Sequence, residues 1–257
     1  MYSSPTTYPL TVWFDQVLLG RQAAFGRLCH FWKANLRTIA YIDGYNLYYG
    51  LLRKSQFKWL DVYALFHDQA LHESAEVVEV RYYTAPMLGK MSDDLESPIR
   101  QRRYLQALRK FHPTGLTIIE GRIVASTPFQ RLIRPIPEAP NLQKVQVLDF
   151  NEKKTDVNIA ADMINGAWKK TYDQAVLCSN DSDLEGALRS IREHHPHIRI
   201  GLVAPISGND PRKISNDLAK FSDWKKILST SHLSRSQLPD RIPCSHLSKP
   251  AKWHTSY

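Results

Sequence analysis

The chain has 257 residues, 43% of them apolar and 23% charged, with a formal net charge of +9 at neutral pH. That is enough apolar material for one sizeable α/β domain and too little for two independent ones, and no run reaches the roughly 20 apolar residues of a membrane span. The positive balance biases the partners toward polyanions, nucleic acid first, although a basic patch has to be located before net charge says more than solubility.

Residues 1–36 read as an N-terminal extension. After a Ser/Thr/Pro opening, Trp13, Phe14, Val17, Leu18, Phe25, Leu28 and Phe31 recur near helical spacing, which gives an amphipathic helix. Three readings stay open for it: a helix facing a membrane surface or RNA through Arg21, Arg27 and Lys33, a helix docked on the domain, and non-native sequence ahead of the true start. The domain pattern proper covers residues 37–228, and a Ser/Pro/His-rich tail, 229–257, is expected to be extended and partly mobile.

Thr38-Ile-Ala-Tyr-Ile-Asp43-Gly-Tyr-Asn46 is a β-branched apolar run that ends in a carboxylate, a glycine and an amide. It predicts a central strand carrying Asp43 to the carboxyl edge of a parallel sheet, where ligands bind in open α/β folds. Leu47, Tyr48, Leu51 and Leu52 continue it as a helix with Asn46 in the first turn; a second helix over 60–71 and a strand over 76–84 follow, and Pro86 closes the strand. Ser97 to Leu108 predicts a helix with Pro98 in its first turn, Ile99, Tyr104, Leu105 and Leu108 inward, and Arg100, Arg102 and Arg103 outward. These three arginines beside a tyrosine suit a nucleic-acid backbone and a base face, with Arg102 and Arg103 the chosen substrate contacts. An ordinary solvated helix face accounts for them equally well.

Strand-like pieces over 116–120 and 145–150 flank a proline-rich connection, 128–140, which Arg131, Arg134 and Lys144 make basic. An irregular stretch of this length is expected to be a functional flap or mobile loop. Thr155 then caps a helix whose first turn holds Asp156, a position that the helix dipole favours without any chemistry. Asp162, six residues on, lies on a different side of that helix and is secondary. An apolar strand, Gln174 to Cys178, runs into Ser179-Asn180-Asp181-Ser182-Asp183-Leu184 and a further helix, so either aspartate serves as a cap. A last apolar strand near 198–203, a short helix over 213–221 and an edge strand over 224–228 complete the pass. Cys29, Cys178 and Cys244 are an odd number without Cys-x-x-Cys spacing, which fits a reducing compartment. With no leader-like pattern either, a cytoplasmic protein without membrane association is expected.

What outweighs the capping explanation is the conjunction. Asp43, Asp156, Asp181 and Asp183 come from three distant segments to strand-end junctions, and carboxylates converging there repel unless a cation is present or a proton is retained. Hard divalent ions such as magnesium or manganese take oxygen ligands of this kind, and a metal so held activates water and stabilises charge on a phosphoryl oxygen. On a basic protein the substrate to expect is a phosphodiester.

The motifs Tyr41-Ile-Asp43-Gly-Tyr-Asn46-Leu, Lys153-Lys-Thr-Asp156-Val and Ser179-Asn-Asp181-Ser-Asp183-Leu, in this order, resemble those of the NYN domain proteins of the PIN-like nuclease superfamily, its LabA-like bacterial branch included. The resemblance covers residues 37–228 and implies a PIN-like three-layer α/β/α sandwich with a mostly parallel central sheet, and a magnesium- or manganese-dependent ribonuclease acting on RNA. It implies that Asp43 and Asp181 are primary metal carboxylates, that Asp156 completes the cluster, and that Asp183 is a ligand or supports one. Asn46 then contacts the metal water or substrate, Ser179 orients the turn and Lys154 approaches a phosphate. The sequence departs from the family pattern twice: Lys-Lys-Thr replaces a glycine in the second motif, and Asn180 replaces glycine in the third, where asparagine tolerates a left-handed turn. A noncatalytic RNA-binding or protein-interaction module on the same fold is the alternative. A phosphatase of the haloacid dehalogenase type is disfavoured, because Tyr45 stands where its second aspartate belongs. A homo-oligomer is compatible with the sequence, which names no protein partner.

Overall fold

The first described strand, β1 (Leu36–Asp43), is buried at every residue from Thr38 to Asp43. That is the signature of a parallel strand covered on both faces. The computed structural model describes residues 35–91, 94–207 and 213–253, so the helix expected within 1–36 lies outside the described residues. Side chains of β1 alternate between two cores: Ala40 and Ile42 enter one, Ile39 and Tyr41 the other.

The chain turns from Asp43 directly into α1 (Gly44–Leu47), which widens into a π-helical stretch over Tyr48–Leu52. Next come α2 (Val62–Ala64, prolonged by Leu65–Ala70), β2 (Ala75–Thr84), α3 (Ser97–Phe111) and β3 (Leu116–Glu120). Four short strands follow: β4 (Arg122–Ser126), β5 (Phe129–Arg131), β6 (Lys144–Gln146) and β7 (Asp149–Lys153). The chain closes with α4 (Thr155–Trp168), β8 (Gln174–Cys178), a 3-10 turn Ser182–Leu184 into α5 (Glu185–His194), β9 (Arg199–Ala204), α6 (Asn216–Ala219), β10 (Trp224–Ile227) and α7 (Thr230–Arg235).

Among the described residues six strands form one sheet in the order β10-β9-β8-β1-β2-β3, every neighbouring pair parallel. Leu47, Leu65, Phe66, Leu105 and Leu108 pack α1 to α3 on one face. Ile159, Met163, Leu188, Ile191 and Leu218 pack α4 to α6 on the other, giving a three-layer α/β/α sandwich. From β1 the chain steps outward one way to β3, and from β8 it steps outward the other way to β10. The topological switch point therefore falls between β1 and β8, where a crevice forms beyond the strand ends.

Two expectations are corrected, and one is filled in. The proline-rich connection is the turn-rich tip of an antiparallel ribbon, β4 on β7 and β5 on β6. In β4 only Ile123 is buried, so the strands carry too little apolar alternation to stand out. In α3 Tyr104, Leu105 and Leu108 face inward and Arg102 and Arg103 outward as expected, but at the first turn the two sides trade places: Arg100 is 7% exposed and Ile99 is 55% exposed, because Arg100 reaches Asp94, Glu96 and Ser97 at the helix start. Residues 229–253 are not a loose tail. They form α7, bury Leu233, Leu238, Ile242 and Leu247 in the first core, and accept a 2.9 Å hydrogen bond from Trp59 Nε1 at the carbonyl of Pro239.

Candidate active site

The register of the two central strands builds the site. Ile42 stands opposite Cys178, so Asp43 and Ser179, the next residues on each strand, come side by side at the sheet edge. Ser179 Oγ donates to Asp43 Oδ2 at 2.9 Å. Asp43 also caps α1: its Oδ1 accepts the backbone N–H of Asn46 at 2.9 Å, and its Oδ2 accepts Asn46 Nδ2 at 2.8 Å. The turn between them leaves no room for a side chain, since a Cβ on Gly44 would stand 2.5 Å from the Tyr83 carbonyl oxygen. Burial of Asp43, 2% exposed, raises its carboxyl above the usual range; the hydrogen bonds from Asn46 and Ser179 oppose the rise, and the charge of Asp181 adds to it.

The third motif docks onto the first. Asn46 Oδ1 accepts the backbone N–H of Asn180 at 3.4 Å. Asn180 in turn accepts the Ser215 N–H at 2.8 Å and donates to the Lys213 carbonyl at 3.1 Å. It acts as a clamp between loops and not as a left-handed turn residue, for it is absent from the positive-φ positions among the described residues. The backbone N–H of Asp181 donates to Ser179 Oγ at 3.1 Å. Its Oδ1 accepts the Asp183 N–H at 3.0 Å, capping the turn that opens α5, while Asp183 is exposed.

The second motif arrives on the returning ribbon. Lys154, with φ of 82°, occupies the position before α4, and Thr155 is already helical. The expected Thr155 cap is thus displaced by one residue, and the Thr155 hydroxyl donates instead to Glu152 Oε1. The left-handed backbone that the family's glycine would accept falls on Lys154. Asp156 lies in the first turn of α4. Burial first, and then the charges of Asp43, Asp181, Glu152 and Asp183, push its carboxyl up to about 6. The charges of the other three predicted aspartates therefore all reach Asp156, and Glu152, which the sequence reading missed, joins them. A carboxylate three residues before Thr155 at the helix start was its only sequence signal.

Of the remaining predicted residues, Lys154 is exposed two positions before Asp156, and Arg102 and Arg103 are exposed on the outer side of α3. Asp162 accepts from the Tyr83 hydroxyl at 2.7 Å and lies 3.6 Å from Arg81, a structural pairing. Cys178 is fully buried within β8, where burial raises its thiol far above the usual range and removes it as a nucleophile. Among the described residues no three His, Cys, Asp or Glu side chains stand close enough to hold a metal ion directly. Nor is any described helix long and apolar enough to cross a membrane.

Fold and crevice together define a PIN-like α/β/α protein with carboxylates gathered at the switch point of its sheet. The family model of the NYN domain matches residues 37–225, and the chain belongs to the NYN domain family. It is 34% identical over 238 residues to 6-hydroxy-3-succinoylpyridine 3-monooxygenase HspA of Pseudomonas putida, covering 85% of this chain and 76% of that protein. It is 23% identical over 215 residues to the low amplitude and bright protein LabA of Synechococcus elongatus, covering 84% and 97%. A crystal structure of a protein of unknown function from Vibrio parahaemolyticus aligns with a TM-score of 0.46 at 19% identity, covering 77% of this chain and 95% of that one.

Proposed function

We propose that the protein is a divalent-metal-dependent ribonuclease that hydrolyses RNA phosphodiester bonds at the crevice between β1 and β8. The observation that carries this reading is the joining of two acidic motifs through Ser179, whose Oγ donates to Asp43 and accepts the Asp181 N–H, beside an Asp156 carboxyl raised by burial and by the neighbouring carboxylates. A group of hard oxygen donors whose charges are mutually uncompensated suits magnesium or manganese. Asp43, Asp156, Asp181 and Asp183 would hold such an ion, with water completing the shell because they are too dispersed to ligate it together. When bound, the ion supplies an acidified water and neutralises charge on the phosphoryl oxygens. The chain's own residues orient the site: Asn46 and Ser179 fix both oxygens of Asp43, and Ser179 ties the Asp181 backbone to the same point.

Labelled structured and unstructured RNAs incubated with the protein, with and without magnesium or manganese, test the reading. Cleavage should require the metal, and Asp43→Asn or Asp181→Asn should lower it at least ~100-fold, about 2.7 kcal/mol of transition-state stabilisation. Asp162→Asn should change it little, since that side chain serves Tyr83. RNA bound equally by wild type and variants, with no cleavage in either metal, would replace the nuclease with a noncatalytic RNA-binding module. HspA, which is named as an oxygenase of a small pyridine, supplies a second reading, in which the crevice serves a small aromatic substrate. An absence of both RNA binding and RNA cleavage would favour it.

A further inference from the structure

A cavity of about 260 Å³ opens beside the crevice and shares Gly44 and Tyr45 with the turn that follows Asp43. Its volume falls just below the roughly 300–1,000 Å³ of ordinary small-molecule pockets, so it has room for one ring system with its substituent. Its lining combines two kinds of side chain. The first is aromatic: Tyr45 lies nearly parallel to Tyr49 with ring centroids 5.9 Å apart, and Trp253 closes another wall, held by Tyr104 at 6.2 Å and Trp59 at 6.1 Å. The second is cationic: Arg53 and Lys58 line the cavity beside Arg100 and Lys252, which are both paired with Asp94. Arg53 is exposed, with its guanidinium 5.4 Å from the Tyr49 ring centroid, a planar cation already aligned with a ring face.

We propose that this cavity binds a planar aromatic ring that carries an anionic group, of mononucleotide size or smaller. The rings stack on the ligand's face, and the cationic lining takes its carboxylate or phosphate. The same chemistry comes from a nucleotide of an RNA chain or from a free aromatic acid. The site is distinct from the aspartate cluster and does not depend on cleavage.

Titration calorimetry on the full chain in EDTA tests this, with the four nucleoside 5′-monophosphates, the matching nucleosides, inorganic phosphate and nicotinate as separate ligands. At least one compound joining ring and anion should bind about tenfold or more tighter than its nucleoside or phosphate alone. Arg53→Ala and Trp253→Ala should each weaken it about fivefold or more, whereas Asp162→Asn, paired with Tyr83 on the other face of the sheet, should leave it unchanged. Preference for a nucleotide identifies the RNA source, and preference for nicotinate identifies a free acid. Binding of none of these compounds, or equal binding by wild type and Arg53→Ala, overturns the proposal. Arg53 is exposed, so that variant remains informative if Trp253→Ala fails to fold. Ribonuclease activity, assayed separately with metal, stands or falls independently of this result.

Discussion

Asp156 sets the sharpest condition on the metal-free protein. Its carboxyl is raised from 3.8 to about 6, so the folded state holds this proton over a pH range in which the unfolded chain has lost it. Stability from that proton is fully present below about pH 4 and is lost as pH rises through about 6. In EDTA, Asp156→Asn should therefore raise the melting temperature more at pH 7.5 than at pH 4.5. A larger gain at the acidic end would contradict the charge crowding described here. Lys154 makes a second test at this scale. Its φ of 82° is a conformation that costs an L-residue about 1–2 kcal/mol and glycine almost nothing, and glycine's greater freedom in the unfolded chain offsets part of that gain. Lys154→Gly should stabilise the fold by up to about 1 kcal/mol in urea titrations while weakening RNA cleavage, if the lysine meets a phosphate. Destabilisation would show that the side chain, and not the backbone, governs the position.

Among the elements, the C-terminal segment departs furthest from its sequence. Leu233, Leu238, Ile242 and Leu247 are all buried in the first core, although their spacing follows neither a helix nor a strand. Each buried side chain of this size contributes about 1.5–3 kcal/mol, an upper bound because unfolded chains are already partly collapsed. Four of them compare with the roughly 5–15 kcal/mol that separates folded from unfolded domains. A chain ending at Leu228 should therefore lose its cooperative thermal transition by circular dichroism. A sharp melt within a few degrees of the full chain would return the segment to the status of a tail. The ribbon β4 to β7 is the other element of consequence, since it carries the chain from β3 back to α4 and so delivers Asp156 to the crevice.

At the scale of the molecule, a net charge of +9 predicts association with RNA that weakens with salt. Arg102 and Arg103, exposed on α3, are the predicted backbone contacts. Each single-strand phosphate contact adds about 0.7 to the slope of log affinity against log salt. Joint replacement by alanine should flatten that slope by about one to two units in binding measured across a salt series. An unchanged slope would mark them as a solvated helix face.

The sequence by itself determined the central strand, the three acidic motifs and the alternation of strands with helices. Continuous apolar runs such as Thr38 to Ile42 and Gln174 to Cys178 can be buried only inside a covered parallel sheet, and a carboxylate at the end of such a run has one place to go. The ribbon, the inward turn of Arg100 and the packing of residues 229–253 were decided by tertiary structure. A half-exposed strand has weak periodicity, Arg100 turns inward only because Asp94 and Glu96 are there to meet it, and isolated leucines in a polar segment reveal their burial only when a partner such as Trp59 fixes the backbone beside them. Register decided the site itself. Asp43 meets Ser179 because Ile42 pairs with Cys178, a neighbour relation across 136 residues that no local pattern encodes.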